Sequence, residues 1–375
     1  MIIGLLKESG HERRVALLPD AVSMLTKMKV SLLVEDEAGK ESFVTNADYV
    51  DAGAKIEKKA DVISQSDMII KINPPTPEEL SLLKAGTVFL ALFNPLMNVE
   101  LVKKFAANNI TTFSLDIIPR TSRAQSMDIL SSMATVNGYK AVLTAANSLP
   151  KFFPMFMTAA GTITPAKVLI LGAGVAGLQA IATSRKLGAV VEVFDVRAAV
   201  KEEVTGLGGK FIEVEGALDD KAAGGYAVEQ TEDFKKRQEA AVHDHAIKSD
   251  VVICTAQIPG KKAPLLLKKE TVGKMKPGSV IIDLAASTGG NCEVTKDGET
   301  IRVNDVTIIG NSLFAVDMPS DASKLFGKNV INFLKLMISP TGEFKLNFGD
   351  DIVRLTCVTY NKEVVHERVK AIINT

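Results

Sequence analysis

The stretch that decides the fold is "KVLILGAGVAGLQAIATSRKLGAVVEVFDVR", residues 167–197. An apolar, strand-like run leads into Gly172, Gly174 and Gly177, which have the spacing G-x-G-x-x-G, and a helix-like run and a second strand-like run follow. In such a turn the first glycine permits a tight bend, the second lets a pyrophosphate approach the backbone, and the third lets the helix pack on the strand. The helix N-terminus adds unpaired N–H groups and a partial positive charge. The pattern predicts a dinucleotide-binding turn that also includes Ala173 and Val175.

An acidic residue ends the second strand-like run. Asp195 lies eighteen residues after Gly177, where a carboxylate can accept a hydrogen bond from a ribose 2′-hydroxyl and would repel the 2′-phosphate of NADP. We therefore expect NAD(H) rather than NADP(H), with Val196 and Arg197 also at the cofactor. Arg197 leaves an alternative open, because an arginine just past this strand can serve NADP.

Composition and charge exclude several classes of protein. The 375 residues suggest two or three domains, and the formal net charge of zero argues against a nucleic-acid or anionic-membrane binder. The most apolar run is interrupted by glycines, so no membrane span is expected. At the N-terminus, charge follows the apolar residues, which is the reverse of a signal peptide. The three scattered cysteines match neither a disulfide framework nor a metal site, so we expect a reducing cytoplasm and no metal.

Strand-like and helix-like runs alternate along the chain. This alternation predicts an α/β fold of two doubly wound, Rossmann-like parallel-sheet domains with a cleft between them. We expect an N-terminal domain of residues 1–136, completed by a C-terminal segment of residues 321–375, and an NAD(H)-binding domain of residues 137–320. A helix over 320–337 is predicted to begin with Ser320 and Asp321 as N-cap residues.

Two further loops are candidates for cofactor contact. The polar segment "GALDDKAAGGYAVEQ", residues 216–230, is either a solvated surface loop or a lid in which Gly225 and Tyr226 close over the nucleotide. The segment "CTAQ" follows a strand predicted to end at the same edge of the sheet as the glycine turn. Its candidate residues are Thr255, Ala256 and Gln257.

Groups for proton transfer are scarce. A dehydrogenase that oxidises an alcohol or amine needs a general base, commonly histidine or lysine. None of the four histidines is clearly placed at the carboxyl end of a strand: His11 lies in a charged loop, His243 and His245 on the expected solvated face of a helix, and His366 in the terminal helix. Lys71 interrupts a buried strand and is either a base or a strand-end lysine that reaches water. Cys292 in "GGNCE" is expected to be an inert thiol.

Several motifs carry a family resemblance that covers nearly the whole chain. "KESGHERRVALLPD", "RTSRAQSMDILSS", "AGGYA", "IPGKKAP" and "MKPGSVIIDLA", together with the glycine turn, are similar to the alanine dehydrogenase and transhydrogenase superfamily. Within it, the chain resembles the NAD(H)-binding domain I of proton-translocating NAD(P) transhydrogenase. The C-terminus carries no membrane segment, so the resemblance is to the form that exists as a separate subunit.

The resemblance gives "RTSRAQSMDILSS", residues 120–132, a role as an Arg-Gln-Asp loop. It implies that Arg120, Asp128 and Ser131 orient the nicotinamide and that Gln125 reaches toward the NADP(H)-carrying partner. Ser126 and Met127 are implied cofactor contacts in the same loop. A carboxamide needs a donor and an acceptor at fixed positions, which these side chains can supply. The alternative is that the loop only caps the next helix, with Asp128 as the N-cap.

The implied function is direct hydride transfer from NADH to NADP+ held on a partner, coupled to proton translocation. The implied partners are a transhydrogenase membrane subunit and an NADP-binding subunit, with the chain a homodimer that is peripheral at the inner membrane. Hydride transfer between two rings needs alignment and no acid or base, which agrees with the scarcity of histidine.

Two other functions stay open. For alanine dehydrogenase, Arg14 and Lys71 match the residues expected to hold the substrate, but Phe93, Asn94 and Pro95 stand where that enzyme carries a catalytic histidine. The third function is a nucleotide-sensing subunit without turnover. One departure from the family is that Asp317 and Met318 stand where an arginine is usual.

Overall fold

The computed structural model describes residues 1–216, 231–258 and 261–374. Contacts divide the chain into unit 1, Met1–Met133 with Val316–Thr375, and unit 2, Ala134–Ala315. The predicted boundaries after residues 136 and 320 lie near these points; as limits of domains they stay a prediction.

The strands are named in chain order. They are β1 (Ile2–Leu5), β2 (Ser31–Glu35), β3 (Lys55–Glu57), β4 (Met68–Ile70), β5 (Val88–Ala91), β6 (Thr111–Ser114), β7 (Phe156–Thr158), β8 (Gly161–Ile163), β9 (Lys167–Leu171), β10 (Val190–Phe194), β11 (Lys210–Phe211), β12 (Val251–Cys254), β13 (Val280–Asp283), β14 (Thr300–Val303), β15 (Val306–Gly310), β16 (Cys357–Tyr360) and β17 (Glu363–Val364).

The α-helices are named in the same way. They are α1 (Pro19–Lys27), α2 (Asn46–Asp51), α3 (Lys59–Gln65), α4 (Pro77–Leu82), α5 (Val99–Ala107), α6 (Ile129–Ser148), α7 (Val175–Lys186), α8 (Lys201–Gly206), α9 (Glu232–Ala246), α10 (Lys269–Lys274), α11 (Pro319–Leu334), α12 (Asp351–Thr356) and α13 (Glu367–Ile373).

Unit 1 is built on a sheet with the order β17-β16-β6-β5-β4-β1-β2-β3. The strands from β6 to β3 are parallel, β16 pairs antiparallel with β6, and β17 pairs antiparallel with β16. The chain builds outward from β1 on one side and from β4 on the other. The strand order therefore reverses between β1 and β4, which we call the switch point of unit 1, and ligands of open α/β sheets bind at such points.

Unit 2 is built on a second sheet with the order β11-β10-β9-β12-β13-β15-β14. Its strands are parallel except for the edge strand β14. The order reverses between β9 and β12, which is the switch point of unit 2. The doubly wound parallel sheets predicted from the sequence are thus present in both units.

The sheet of unit 2 is buried on both faces, which explains its continuous apolar strands. Along β9, Val168 and Ile170 face one hydrophobic core, and Leu169 and Leu171 face the other. This alternation follows from the two-residue period of a strand.

The start of α11 differs from the prediction. The helix begins at Pro319, its N-cap residue is Met318, and no side chain caps it among the described residues. The prediction that Ser320 and Asp321 form the N-cap is therefore wrong. Proline has its φ already set for the first helical position, so it starts the helix before those two residues.

Candidate functional site

The glycine turn lies at the switch point of unit 2, between the end of β9 and the start of α7. Gly172 has φ +101°, and a Cβ there would lie 2.7 Å from Thr255 Oγ1. A Cβ on Gly177 would lie 1.9 Å from the carbonyl oxygen of Gly172, so only glycine lets α7 pack this close. Both positions need glycine for the reasons that the sequence pattern predicts.

Gly174 is the open part of this turn. Among the described residues, apart from Gly174 itself and its chain neighbours, no heavy atom lies within 4 Å of the place where its Cβ would stand. Gly174 is also the N-cap residue of α7 and offers no side chain to the first N–H groups of the helix. Ala173 is buried and Val175 is exposed at the helix start. Backbone N–H groups with open space in front of them fit a pyrophosphate.

The residues that follow β12, the strand next to β9 in the sheet, contact the glycine turn. The hydroxyl of Thr255 donates to the carbonyl of Gly172 over 2.9 Å. The N–H of Ala256 donates to Asn291 Oδ1 over 3.0 Å, and Asn291 donates back to the carbonyl of Ala256 over 2.9 Å. Gln257 is exposed, and its amide donates to the carbonyl of Leu284 over 2.8 Å. Thr255 and Ala256 thus contact or adjoin the glycine turn, while Gln257 is bound to the chain after β13.

Asp195 contacts the glycine turn directly. Its Oδ2 accepts from the N–H of Ala173 over 2.7 Å. Arg197 chelates the same carboxylate, with Nε 2.9 Å from Oδ1 and Nη2 2.7 Å from Oδ2, and its backbone N–H donates to Oδ1 over 2.8 Å. Val196 between them is half-buried. Arg197 therefore lies against the acid after β10, and it partly neutralises the charge on which the predicted preference for NAD(H) depends.

Sequence reasoning missed two residues that support this site. Asn291 connects Ala256 to Pro264, and its own N–H donates to the buried carboxylate of Asp283 over 2.8 Å. Gly138 of α6 would place a Cβ 2.2 Å from the carbonyl of Ala176, so α6 packs on the first turn of α7. Asn291 lies in the same "GGNCE" segment as Cys292, but a lone asparagine beside two glycines gives no local signal of its partners.

The Arg-Gln-Asp loop belongs to unit 1. Residues Ser122–Met127 form a 3-10 helix, and α6 begins at Ile129. Asp128 accepts from the N–H of Ser131 over 2.9 Å and from its hydroxyl over 2.6 Å. Asp128 therefore caps α6, as the capping alternative predicts, and the role of the loop in cofactor binding stays a prediction.

The other loop residues divide into exposed and buried ones. Arg120 and Gln125 are exposed, and Met127 is buried. Ser126 is exposed, but its carbonyl accepts from Asn329 over 2.8 Å and from Asn332 over 3.1 Å. The side chain of Gln125 is thus presented to solvent by a loop whose neighbouring backbone is held.

Ionised side chains gather at the switch point of unit 1. Lys71 is 0% exposed, and its ammonium lies 2.8 Å from Glu79, which is 1% exposed. Of the two alternatives for Lys71, the one in which it reaches water is therefore wrong, because its ammonium is buried against a carboxylate. Arg14 is also buried and chelates Glu12, with Nε–Oε1 of 2.7 Å and Nη2–Oε2 of 2.6 Å.

Burial and pairing have opposite effects on these carboxyls. Burial raises the pKa of Glu8 to about 7, although Lys71 and the N–H of Ile72, which donates to Glu8, lower it. Burial also acts to raise the pKa of Glu12 and Glu79, but the hydrogen bonds from Arg14 and Lys71 outweigh it, and both pKa values fall below their usual range. Glu8 is the carboxyl in this cluster with a pKa near neutrality.

Three of the four histidines make hydrogen bonds within the protein, and His11 is exposed. His243 hydrogen-bonds Thr271 over 2.8 Å, and His245 lies 2.7 Å from Glu192. Both are half-buried, so the expected solvated face is wrong for them. His366 is the N-cap of α13, and His11 is exposed. Cys292 is buried, and burial raises the pKa of its thiol to about 11, as expected for an inert thiol.

The predicted lid residues Gly225 and Tyr226 lie outside the described residues. In the described ranges, no group of three or more histidine, cysteine, aspartate or glutamate side chains is arranged to hold a metal ion. Over those same ranges, none of the helices combines the length and the apolar character that crossing a bilayer requires.

Two doubly wound units, one with a glycine cradle at its switch point, define a dinucleotide-binding α/β protein of the dehydrogenase type. Family comparison makes the class specific. Residues 4–137 match the N-terminal domain and residues 141–367 match the C-terminal domain of the alanine dehydrogenase/PNT family. The chain belongs to this family.

Within this family, the chain is more similar to transhydrogenases than to the alanine dehydrogenase compared below. The first of the separate pieces of NAD(P) transhydrogenase subunit alpha of Rhodospirillum rubrum is 44% identical over 364 residues, which cover 95% of each chain. The crystal structure of transhydrogenase from Sinorhizobium meliloti matches with a TM-score of 0.90 at 41% identity, covering 97% of this chain and 100% of that chain. Alanine dehydrogenase of Bacillus subtilis is 28% identical over 382 residues, covering 98% of this chain and 94% of that enzyme.

Proposed function

We propose that this chain is the NAD(H)-binding subunit of a proton-translocating NAD(P) transhydrogenase. The observation that carries the proposal is the cradle formed by Gly172, Gly174 and Gly177 at the switch point of unit 2. The names of the relatives at about 40% identity and above support the transhydrogenase assignment. Backbone N–H groups at the start of α7 would bind the pyrophosphate, and Asp195 would accept from the ribose.

The Arg-Gln-Asp loop would bind the nicotinamide end. Asp128 and Ser131 already form a paired acceptor and donor, with 2.6 Å between the hydroxyl and the carboxylate. Together with Arg120 they offer a carboxamide the complementary groups that it needs. Bound dihydronicotinamide supplies a hydride, and the chain's own task is to hold the ring still and dry; no side chain has to take a proton.

Gln125 would face the NADP(H)-carrying partner. Its side chain is exposed. The proposed assembly contains an NADP-binding subunit that holds NADP+, and a membrane subunit that couples hydride transfer to proton translocation. The chain would then be peripheral at the cytoplasmic side of the inner membrane. The Rhodospirillum rubrum relative is named as belonging to a subunit of NAD(P) transhydrogenase, which supports a multi-subunit assembly.

A homodimer is the proposed state of the chain itself. The hairpin of β7 and β8 exposes large apolar side chains, and Met157 is 76% exposed. A hairpin of this kind is poorly stable alone in water, so a second copy is a suitable cover. Met157→Lys should shift sedimentation velocity from dimer to monomer; a wild-type chain that sediments as a monomer would contradict the dimer.

The other two functions have weaker support, since the alanine dehydrogenase relative is 28% identical and the transhydrogenase relative is 44% identical. For alanine dehydrogenase, Phe93 is buried and carries no side-chain nitrogen, and Arg14 and Lys71 are each paired with a carboxylate. L-Alanine as substrate with NAD+ tests that function directly. A sensing subunit would bind NADH and show no turnover with any partner.

The test of the proposal is a cyclic assay. NADH reduces an NAD analogue in the presence of the chain, catalytic NADPH and the isolated NADP-binding partner subunit. We expect turnover that requires both proteins, and a sharp loss of hydride transfer in Gln125→Asn with little change in NADH affinity. Tight NADH binding without turnover would contradict the proposal and favour the sensing function.

A further inference from the structure

Gln125 lies in a 3-10 helix, a conformation that is only weakly stabilised by its own hydrogen bonds. Ser122–Met127 form six residues of 3-10 helix, and 3-10 runs longer than three or four residues are uncommon because their hydrogen bonds are poorly aligned. Such a segment needs support from outside. Two separate sets of contacts, both from the C-terminal segment of unit 1, supply it.

The first set is an ion pair just before Gln125. Arg123 donates from Nη1 to Asp350 Oδ2 over 2.6 Å and from Nη2 to Asp350 Oδ1 over 2.7 Å, and it also contacts Asp351. Asp350 is in turn fixed, because its Oδ1 accepts from the N–H of Ile352 at the start of α12. A bidentate arginine–carboxylate pair fixes direction as well as distance. An exposed pair adds little to stability, so its value here is geometric.

The second set lies just after Gln125. Asn329 and Asn332, neighbouring residues on one face of α11, both donate to the carbonyl oxygen of Ser126. Asn329 is 6% exposed, and its Oδ1 has no hydrogen-bond partner among the described residues. A buried amide that leaves its acceptor unpaired costs free energy, so stability alone does not account for this asparagine.

We propose that Arg123, Asn329 and Asn332 are positioning residues for hydride transfer, which hold the backbone on both sides of Gln125 and thereby place its exposed side chain. The inference rests on the proposed function. The contacts are made two residues before and one residue after Gln125, and Asp128 caps α6 three residues after it. The backbone is thus fixed by contacts at Arg123, Ser126 and Asp128, on both sides of Gln125. Small displacements of a reacting group slow transfer strongly. The pyrophosphate and ribose, which we assign to unit 2, need none of these contacts, so most of the affinity for NADH should be kept.

The experiment uses the full chain with its NADP-binding partner subunit in the cyclic assay. We expect Asn329→Ala combined with Asn332→Ala to lower the turnover number roughly tenfold to a hundredfold, with the dissociation constant for NADH within about twofold of the wild type. Arg123→Met should have a smaller effect of the same kind, and Arg123→Lys should restore part of the rate. Amide hydrogen exchange of residues 122–127 should be faster in the asparagine variant.

Matched controls come from the same unit. Asn108→Ala removes an asparagine that donates to the carbonyl of Lys104, and Lys103→Met removes an exposed ion pair with Glu100. Both should keep wild-type turnover. Wild-type turnover in the Asn329/Asn332 variant would overturn the positioning role and leave the proposed function intact. A parallel loss of NADH affinity and thermal stability would also overturn it. No transfer by the wild-type chain would overturn the proposed function, and the positioning role with it.

Discussion

The switch point of unit 2 and the switch point of unit 1 occupy equivalent places in two doubly wound sheets, but their side chains differ in kind. In unit 2 the chain leaves β9 through glycines, and the space in front of Gly174 is open. In unit 1 the chain leaves β1 through "LKESGHERR", and its carboxylates meet Arg14 and the main chain that leaves β4. Strand order alone therefore does not make a nucleotide site.

The two switch points differ in which polar groups are still available to bind a ligand. Backbone N–H groups next to glycine can bind a phosphate because no side chain covers them. In unit 1 the N–H of Ile72, at the end of β4, already donates to Glu8 over 2.5 Å, and Lys71 already pairs with Glu79. Unit 1 uses its switch point for an internal ion network, and we propose that unit 2 keeps its own for a cofactor.

The largest effect should come from breaking the network of unit 1. Lys71→Met removes the ammonium 2.8 Å from the buried carboxylate of Glu79 and leaves it only the partly exposed Lys59, 3.3 Å away. Removing one partner of a buried ion pair costs about 3–5 kcal/mol, and Lys59 places the expected loss at the lower end of that range. Urea unfolding should show this loss, while the NADH affinity of the folded fraction stays at the wild-type value. Lys40→Met, which removes an exposed ion pair, is the control. Equal stability of the two variants would contradict the role given to Lys71.

The next effect depends on pH. The pKa of Glu8 is raised to about 7, above its usual value of 4.5. Between these two pH values, Glu8 is therefore protonated in the folded chain and ionised in the unfolded chain. Stability should then fall as pH rises from 4.5 to about 7, and Glu8→Gln should remove this fall, a relative gain of about 3 kcal/mol by about pH 8.

Unfolding of wild type and Glu8→Gln at about pH 4.5 and about pH 8 measures that difference. Glu100→Gln on the exposed side of α5 serves as the control. A constant difference between wild type and Glu8→Gln across this range would mean that Glu8 titrates normally.

A smaller effect is expected at the glycine turn. Gly174 has φ −76°, and a Cβ there meets no described atom, so Gly174→Ala should fold with unchanged thermal stability. The added methyl group covers the N–H groups of α7, and NADH affinity should fall at least about tenfold, or about 1.4 kcal/mol. Gly206→Ala, which also places its Cβ more than 4 Å from any described atom, is the control. Unchanged affinity in Gly174→Ala would place the pyrophosphate elsewhere.

The smallest effect concerns cofactor choice. Asp195→Asn removes the charge that repels a 2′-phosphate and weakens the bonds to Ala173 and Arg197. NADH affinity should fall by about 1 kcal/mol, the worth of one hydrogen bond, and the preference over NADPH should shrink. Separate titrations with NADH and NADPH measure both. Glu192→Gln, on the strand β10 that precedes Asp195, should change neither; comparable affinities in the wild type would contradict the role of Asp195.

Local patterns predict much of this fold. The apolar runs that become β1, β4, β5, β9, β12 and β13 are visible in the sequence, as is the glycine turn, because strand burial and glycine conformation depend on neighbouring residues. Partners distant in sequence are not visible. Arg123 meets Asp350 across 227 residues, and Asn291 reaches Ala256 across 35. For Lys71 the sequence left a base and a lysine that reaches water as alternatives, and the carboxylate that buries it, Glu79, comes from the capping box of α4.

We propose that the chain binds NAD(H) at the switch point of unit 2 and not at the switch point of unit 1. Calorimetric titration of NADH into the wild type, Gly174→Ala and Glu8→Gln tests it most directly. We predict one NADH per chain, much weaker binding in Gly174→Ala and unchanged binding in Glu8→Gln. Two NADH per chain, or binding that survives Gly174→Ala and is lost in Glu8→Gln, would contradict the claim.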